Sequence, residues 1–173
     1  MISIQGDVPL NAGGSFWTFR CLLPVIVMVF CWTVSGTAQA GERQCDPQWH
    51  TARLTHYESY PVPGSAECVD YNGCAWAGQF YGLEGKRSES WVAWHNIVAV
   101  HMKDWPLLGM KVLRLRQGAR TIDVRVLDAC SDADCDGCCT ANLGGDGYLI
   151  DIEKYTMQRF GAGDGLVDFQ VCR

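Results

Sequence analysis

The chain has 173 residues, 19 acidic and 14 basic, a formal net charge of −5 and ten cysteines. That length suits one domain, with or without a targeting segment, and excludes two large cores. With 48% hydrophobic residues and seven Trp, the chain is too apolar and aromatic to be disordered. Net acidity without a Lys/Arg run excludes a nucleic-acid binder that works by neutralising phosphates. Ten cysteines point to metal sites in a reducing compartment, or to a disulfide framework in an exported chain.

Residues 1–40 decide between the two. Cys21 to Val34 carries no charge, Arg20 stands just before it, and Ala38-Gln39-Ala40 supplies a small-x-small pattern. This reads as a secretory signal peptide over residues 1–40, cut after Ala40. A membrane anchor is the competing reading, but such a run spans only about 21 Å of a roughly 30 Å hydrocarbon core. A lipid-modified Cys31 is disfavoured by Phe30, where a small residue is needed. Cleavage removes Cys21 and Cys31. It leaves one domain, residues 41–173, in a secreted or periplasmic setting without a membrane attachment. Cys45, Cys68, Cys74, Cys130, Cys135, Cys138, Cys139 and Cys172 then form an even set that fits four bridges. Each bridge stabilises by about 2–4 kcal/mol. The spacing leaves the connectivity open.

Ala52 to Glu58 alternates and predicts a first strand. Pro61, Pro63 and Gly64 break the pattern, and a glycine-rich irregular stretch runs from Ser65 to about Ser90, with a short helix expected over Ser90–His95. Ile97–Met102 and Lys111–Arg116 are short β-type runs. Gln117-Gly118-Ala119-Arg120 reads as a hairpin turn. Thr121–Leu127 alternates, with Ile122, Val124 and Val126 on one face. A loop rich in Cys and Asp extends from Asp128 to Gly147. Helical spacing predicts a helix over Asp151–Phe160 with Gly161 as its C-cap, and Leu166–Val171 is a last alternating strand. Many short strands and one short helix imply a small β-barrel or sandwich.

Four constellations could carry chemistry. Asp128 ends an apolar strand and Asp151 is flanked by apolar residues. Carboxyls in such surroundings can serve as general acids, and a carboxyl pair is the usual equipment for glycoside hydrolysis. The structural alternative is that Asp151 caps a helix and Asp128 orders its loop. Asp132-Ala-Asp134-Cys-Asp136-Gly137 matches the first half of a calcium loop, but Leu143 stands where the closing Glu is needed. Cys130-x4-Cys135-x2-Cys138-Cys139 supplies one zinc-type element where paired elements are usual, so disulfides are expected and no metal or cofactor is assigned. Tyr57, Tyr60, Tyr71, Trp76, Tyr81, Trp91, Trp94 and Trp105 fall largely in loop-like sequence. They either fill a small core or line a groove for a ligand with apolar faces, such as a sugar ring. His50, His56, His95 and His101 show no ligand spacing.

The order Leu54-Thr55-His56-Tyr57, then Val124-Arg-Val-Leu-Asp128-Ala-Cys130, then Leu149-Ile-Asp151-Ile, then Gly165-Leu-Val-Asp-Phe resembles the double-psi β-barrel superfamily. Its members include expansin N-terminal domains, barwin-type proteins, rare lipoprotein A and family-45 glycoside hydrolases. The resemblance covers about Ala52 to Val171. It implies a mainly β, disulfide-stapled, six-stranded double-psi barrel with one short helix near the C-terminus. It also implies that Asp151 matches the Asp that protonates the leaving oxygen in the hydrolases and that expansins need for wall loosening. Asp128 matches the Asp of the D-x-C element, and Thr55 and Tyr57 line the same groove.

The departures are informative. The hydrolases carry a base Asp shortly after the T-x-Y strand, where this chain has Glu58, Ser59 and Tyr60. The Ser that follows the L-D-L segment is Glu153 here. No β-sandwich follows, which gives the layout of a single-domain, barwin-type or loosenin-like member. The expected function is a secreted, non-hydrolytic, expansin-like protein. It would act as a monomer on polysaccharide of the cellulose, xylan, chitin or peptidoglycan class, using Thr55, Tyr57, Glu58, Trp76, Trp91 and Trp94. The alternatives are a glycan-cleaving enzyme, hydrolase or lytic transglycosylase, with Asp151 as general acid, and a non-catalytic effector or inhibitor on the same scaffold. No nucleic acid is expected as a partner.

Overall fold

The computed structural model describes residues 43–173; the signal-peptide reading falls outside them. Side chains alternate between the two faces of a strand, so a segment with every second residue apolar buries one face. Six such segments close on themselves: β1 (His50–Tyr57), β2 (Ile97–His101), β3 (Val112–Gln117), β4 (Arg120–Cys130), β5 (Tyr148–Glu153) and β6 (Gly165–Cys172). Their order around the closed barrel is β1-β5-β2-β4-β3-β6. β1 runs parallel to β5 and β2 parallel to β4, and the other neighbours are antiparallel. Each strand sends two residues, two positions apart, into the interior. These are Ala52 and Leu54, Val98 and Val100, Leu113 and Leu115, Val124 and Val126, Ile150 and Ile152, and Val167 and Phe169, all buried in one cluster. Among the described residues, closure leaves the barrel no strand edge to pair with another chain.

The protein is mainly β, in the six-stranded architecture that the sequence implies. The short helices are α1 (Ala66–Val69), α2 (Glu89–Trp94), α3 (Trp105–Leu108), α4 (Cys138–Ala141) and α5 (Lys154–Phe160). The sequence reading finds α2 within a residue and misses α1, α3 and α4, which are single turns too short to show a helical period. Gly161 caps α5 at φ 63°, its N–H reaching Met157 O. At the β3–β4 hairpin, Gln117 pairs with Arg120 across a two-residue turn, with Gly118 at φ 61°.

The start of α5 is a correction. Asp151 does not cap a helix; it lies inside β5, paired on both sides to Thr55 and Ala99. The strand runs three residues further than helical spacing implies because β1 and β2 both offer it a ladder. The N-cap is Glu153, whose carboxylate accepts the Tyr155 N–H at 2.6 Å.

All eight cysteines of the described residues are bridged: Cys45–Cys172, Cys68–Cys74, Cys130–Cys139 and Cys135–Cys138. Two bridges brace the loop between Asp128 and Asp151. The Cys45–Cys172 bridge ties the end of β6 to the start of the described chain. A second apolar cluster of Phe80, Val92, Ile97 and Leu127, with Tyr60, Leu83, Trp91 and Tyr155 against it, lies on the outer face of the barrel. It pins the long segment between β1 and β2 to that face. Gly78 holds one bend of the segment at φ 72°, where a Cβ would run into Tyr60 and Arg87. Among the described residues no helix is long and apolar enough to cross a membrane.

Two stability predictions follow from this architecture. Ile150 is fully buried at the barrel centre, and Ile150→Ala is expected to cost about 2–5 kcal/mol in urea unfolding. Cys45–Cys172 spans 127 residues and Cys68–Cys74 spans 6. Because a longer loop loses more unfolded-state freedom, Cys45→Ser/Cys172→Ser is expected to lower the unfolding midpoint more than Cys68→Ser/Cys74→Ser. Equal losses would contradict this.

Candidate functional site

With Leu54, Ile150, Ile152, Val98 and Val100 turned inward, the residues between them must turn outward. Register then lays them in one row. Thr55 pairs with Asp151, Asp151 with Ala99, and Ala99 with Asp128, crossing β1, β5, β2 and β4. The last step depends on a bulge: Val98 pairs with Val126, but Ala99 pairs with Asp128, so Leu127 is the extra residue. Val126 fills the barrel while Leu127 joins the outer apolar cluster and Asp128 faces the groove.

The row forms the floor of an open cleft of about 600 Å³. Thr55 Oγ1 donates to Asp151 Oδ1 at 2.7 Å. Asp128 Oδ1 accepts the N–H groups of Tyr81 and Ala129, both at 2.9 Å. One wall is the segment after β1, which presents Tyr71, Trp76 and Tyr81, 47%, 54% and 60% exposed. The other wall is the loop of residues 131–142, with its two disulfides. The walls touch across the cleft: Trp76 Nε1 donates to Asp134 Oδ1 at 3.2 Å and Asn72 Nδ2 to Asp134 O at 3.1 Å.

Burial governs the electrostatics. It pushes Asp151 up to about 7 against the favourable Thr55 hydrogen bond, with the nearby charges of Glu67 and Asp128 adding to the rise. Burial also raises Asp128, opposed by its two backbone N–H donors and by the neighbouring Tyr57 phenol. Tyr57 is raised well above the ordinary phenol range for the same reason, so it stays protonated. Tyr57 Oη and Ser59 Oγ, of two residues lining the cleft, and Glu153 Oε1 are buried without hydrogen-bond partners among the described residues. At the far end, His56 Nδ1 meets Asp164 Oδ1 at 2.9 Å, and that contact raises the imidazole.

The structure brings together Asp151, Asp128, Thr55, Tyr57, Glu58 and Trp76 around this cleft. Glu58 is held by Lys154, Oε2 to Nζ at 3.0 Å. Trp91 and Trp94 do not line the cleft, which corrects the sequence assignment. Trp91 packs into the outer apolar cluster and stacks on His95 at 3.8 Å. Trp94 is 86% exposed on α2. They lie three residues apart on a short helix whose apolar side is already committed to the barrel. The acidic run is likewise structural in part: Asp132 accepts the N–H and Oγ1 of Thr140.

The sequence reading missed Glu67. It lines the cleft from α1, half-buried, and burial raises its carboxyl. It is tied to the end of β1 by the Glu58 N–H, which donates to Glu67 Oε1 at 3.3 Å.

Asp151 yields a pH test. Between its ordinary value of 3.8 and its folded value of about 7, the folded chain holds a proton that the unfolded chain has released. Its contribution to stability is therefore full below about pH 4 and lost as pH rises through 7. Asp151→Asn is expected to flatten the stability–pH slope in that window by up to about 1.4 kcal/mol per pH unit. The variant should also exceed the parent in stability at pH 8. Urea midpoints taken every half unit read both effects, and an unchanged slope would assign the proton elsewhere.

No family model matches the chain, and no curated protein matches it. Among solved structures it is similar to the apo form of the Clavibacter michiganensis expansin, at 14% identity and a TM-score of 0.42, over 73% of this chain and 51% of that one. The chain thus spans about half the length of that expansin. The fold rests on the strands themselves: each of the four sequence motifs falls on its own strand, β1, β4, β5 and β6, in the closed six-stranded barrel that the sequence resemblance implies.

Proposed function

We propose that this protein is a secreted, non-hydrolytic, expansin-like binder of cell-wall or related polysaccharide, acting as a monomer. The observation that carries the reading is the pairing of a carboxyl-bearing floor with an exposed aromatic wall in one open cleft. Sugar rings have apolar faces and hydroxyl edges. Tyr71, Trp76 and Tyr81 offer rings for the faces, while Asp151, Thr55 and Asp128 offer hydrogen bonds to the edges. With a carboxyl titrating near 7, Asp151 can donate as well as accept at neutral pH. It can therefore compete for hydroxyls that otherwise bond to neighbouring glycan chains. Glu58, nearest in sequence to the base position of the hydrolases, is engaged by Lys154, which favours binding without bond cleavage. Four bridges in the described chain are compatible with an oxidising, extracellular compartment.

A second reading, glycan cleavage with Asp151 as general acid, is favoured by one observation. Glu67 is a third raised carboxyl on the same cleft, beside Asp151 and Asp128, and close enough to act on Asp151.

Pull-down on insoluble cellulose, xylan, chitin and peptidoglycan tests the first reading. Retention on at least one of them is expected. Trp76→Ala should weaken retention roughly threefold to tenfold, and Asp151→Asn should weaken it above pH 6. Retention on none, or retention untouched by both substitutions, would sink it. Reducing ends released from soluble oligosaccharides, and lost in Glu67→Gln, would replace binding with cleavage.

A further inference from the structure

The two bridges in the cleft wall are not independent. Cys139 Sγ, bridged to Cys130, lies 3.8 Å from Cys135 Sγ and 3.9 Å from Cys138 Sγ, which are bridged to each other. The sulfurs of Cys130, Cys138 and Cys139 lie within 4.8 Å of one another. Four sulfur atoms thus form one cluster in which each bridge sits against the other. The Cys135–Cys138 bridge closes over only Asp136 and Gly137, both in the left-handed region at φ 50° and 85°. Asp136 pays a conformational cost there that glycine does not. Cys130, Cys135 and Cys138 are only half-buried and face the open cleft, within reach of a dissolved thiol.

We propose that this cluster is a thiol–disulfide exchange site at which a low-molecular-weight thiol interconverts two pairings of the four cysteines. The external thiolate attacks Cys138 Sγ, forming a mixed disulfide and releasing the Cys135 thiolate. Cys135 attacks Cys139 Sγ, forming Cys135–Cys139 and releasing the Cys130 thiolate. Cys130 attacks Cys138 Sγ, forming Cys130–Cys138 and expelling the external thiolate. Each step makes one S–S bond and breaks one. The thiol is regenerated and no net oxidation or reduction occurs.

The exchange reaches the cleft through Asp134, which immediately precedes Cys135 and carries both contacts across the opening, to Trp76 and to Asn72. Moving the Cys135 bond from Cys138 to its neighbour Cys139 re-sets the turn that carries Asp134, so the exchange acts on the two contacts that join the cleft walls.

The test uses the full chain, incubated with reduced glutathione below its own molar concentration, acid-quenched, alkylated and mapped by tandem mass spectrometry of non-reduced peptides. The expected result is an unchanged intact mass and a second population, on the order of 1–10%, carrying Cys135–Cys139 and Cys130–Cys138. A single pairing at every glutathione level, or loss of both bridges to free thiols without re-pairing, overturns the proposal. Cys130→Ser/Cys138→Ser gives an independent reading. A bridge between the remaining Cys135 and Cys139 is expected, with no free thiol titrating in the native variant. Two titrating thiols in a folded variant count against it, and if that variant does not fold, the map of the parent chain decides.

Discussion

The alternation of side chains along β5 is the constraint from which the rest of the site descends. Ile150 and Ile152 must enter the barrel, because closure of six strands leaves an interior that two apolar residues from each strand fill. Asp151, between them, has nowhere to go but the outer face. Parallel pairing with β1 and antiparallel pairing with β2 then fix Thr55 and Ala99 beside it. The floor of the cleft is thus an outcome of core packing. A one-residue slip of β5 would put the carboxylate into the barrel and an isoleucine into the cleft.

The outer layer supplies the chemistry that register alone does not. A carboxyl on a bare barrel face would be hydrated and ionised at ordinary pH. Here the segment from Ser59 to His95, held down by Phe80, Val92 and Trp91 against Ile97 and Leu127, removes much of the water from one side of the row. Desolvation then outweighs the Thr55 hydrogen bond at Asp151 and the two backbone donors at Asp128. The same layer brings the aromatic wall, so one piece of chain both tunes the carboxyls and provides the rings opposite them.

The strands were legible because their pattern has a period of two and the barrel uses one face of each. β1, β3, β4 and β6 match their alternation closely, and Thr55 and Tyr57, Asp128 and Asp151 emerge from short motifs on β1, β4 and β5. Trp91 and Trp94 misled for a physical reason: an aromatic in loop-like sequence looks the same whether it closes an outer core, as Trp91 does, or stands in solvent, as Trp94 does. The α5 boundary was misjudged because Asp151-Ile152-Glu153 fits both periods, and the tie is broken only by two neighbouring strands far away in sequence. Glu67 was invisible, since it reaches the cleft from a single-turn helix tied to the Glu58 N–H, a contact that no periodicity records.

Cys45 and Cys172 stand almost at the two ends of the described chain, and their bridge turns what lies between them into a covalent ring. A single cut in an exposed turn, such as Gly118–Ala119, would not yield two fragments but one continuous molecule with new termini. The barrel is in effect already circularised, and a nick amounts to a permutation of a ring whose halves stay joined. The first cut by a protease in such a turn therefore need not separate any strand from its neighbours.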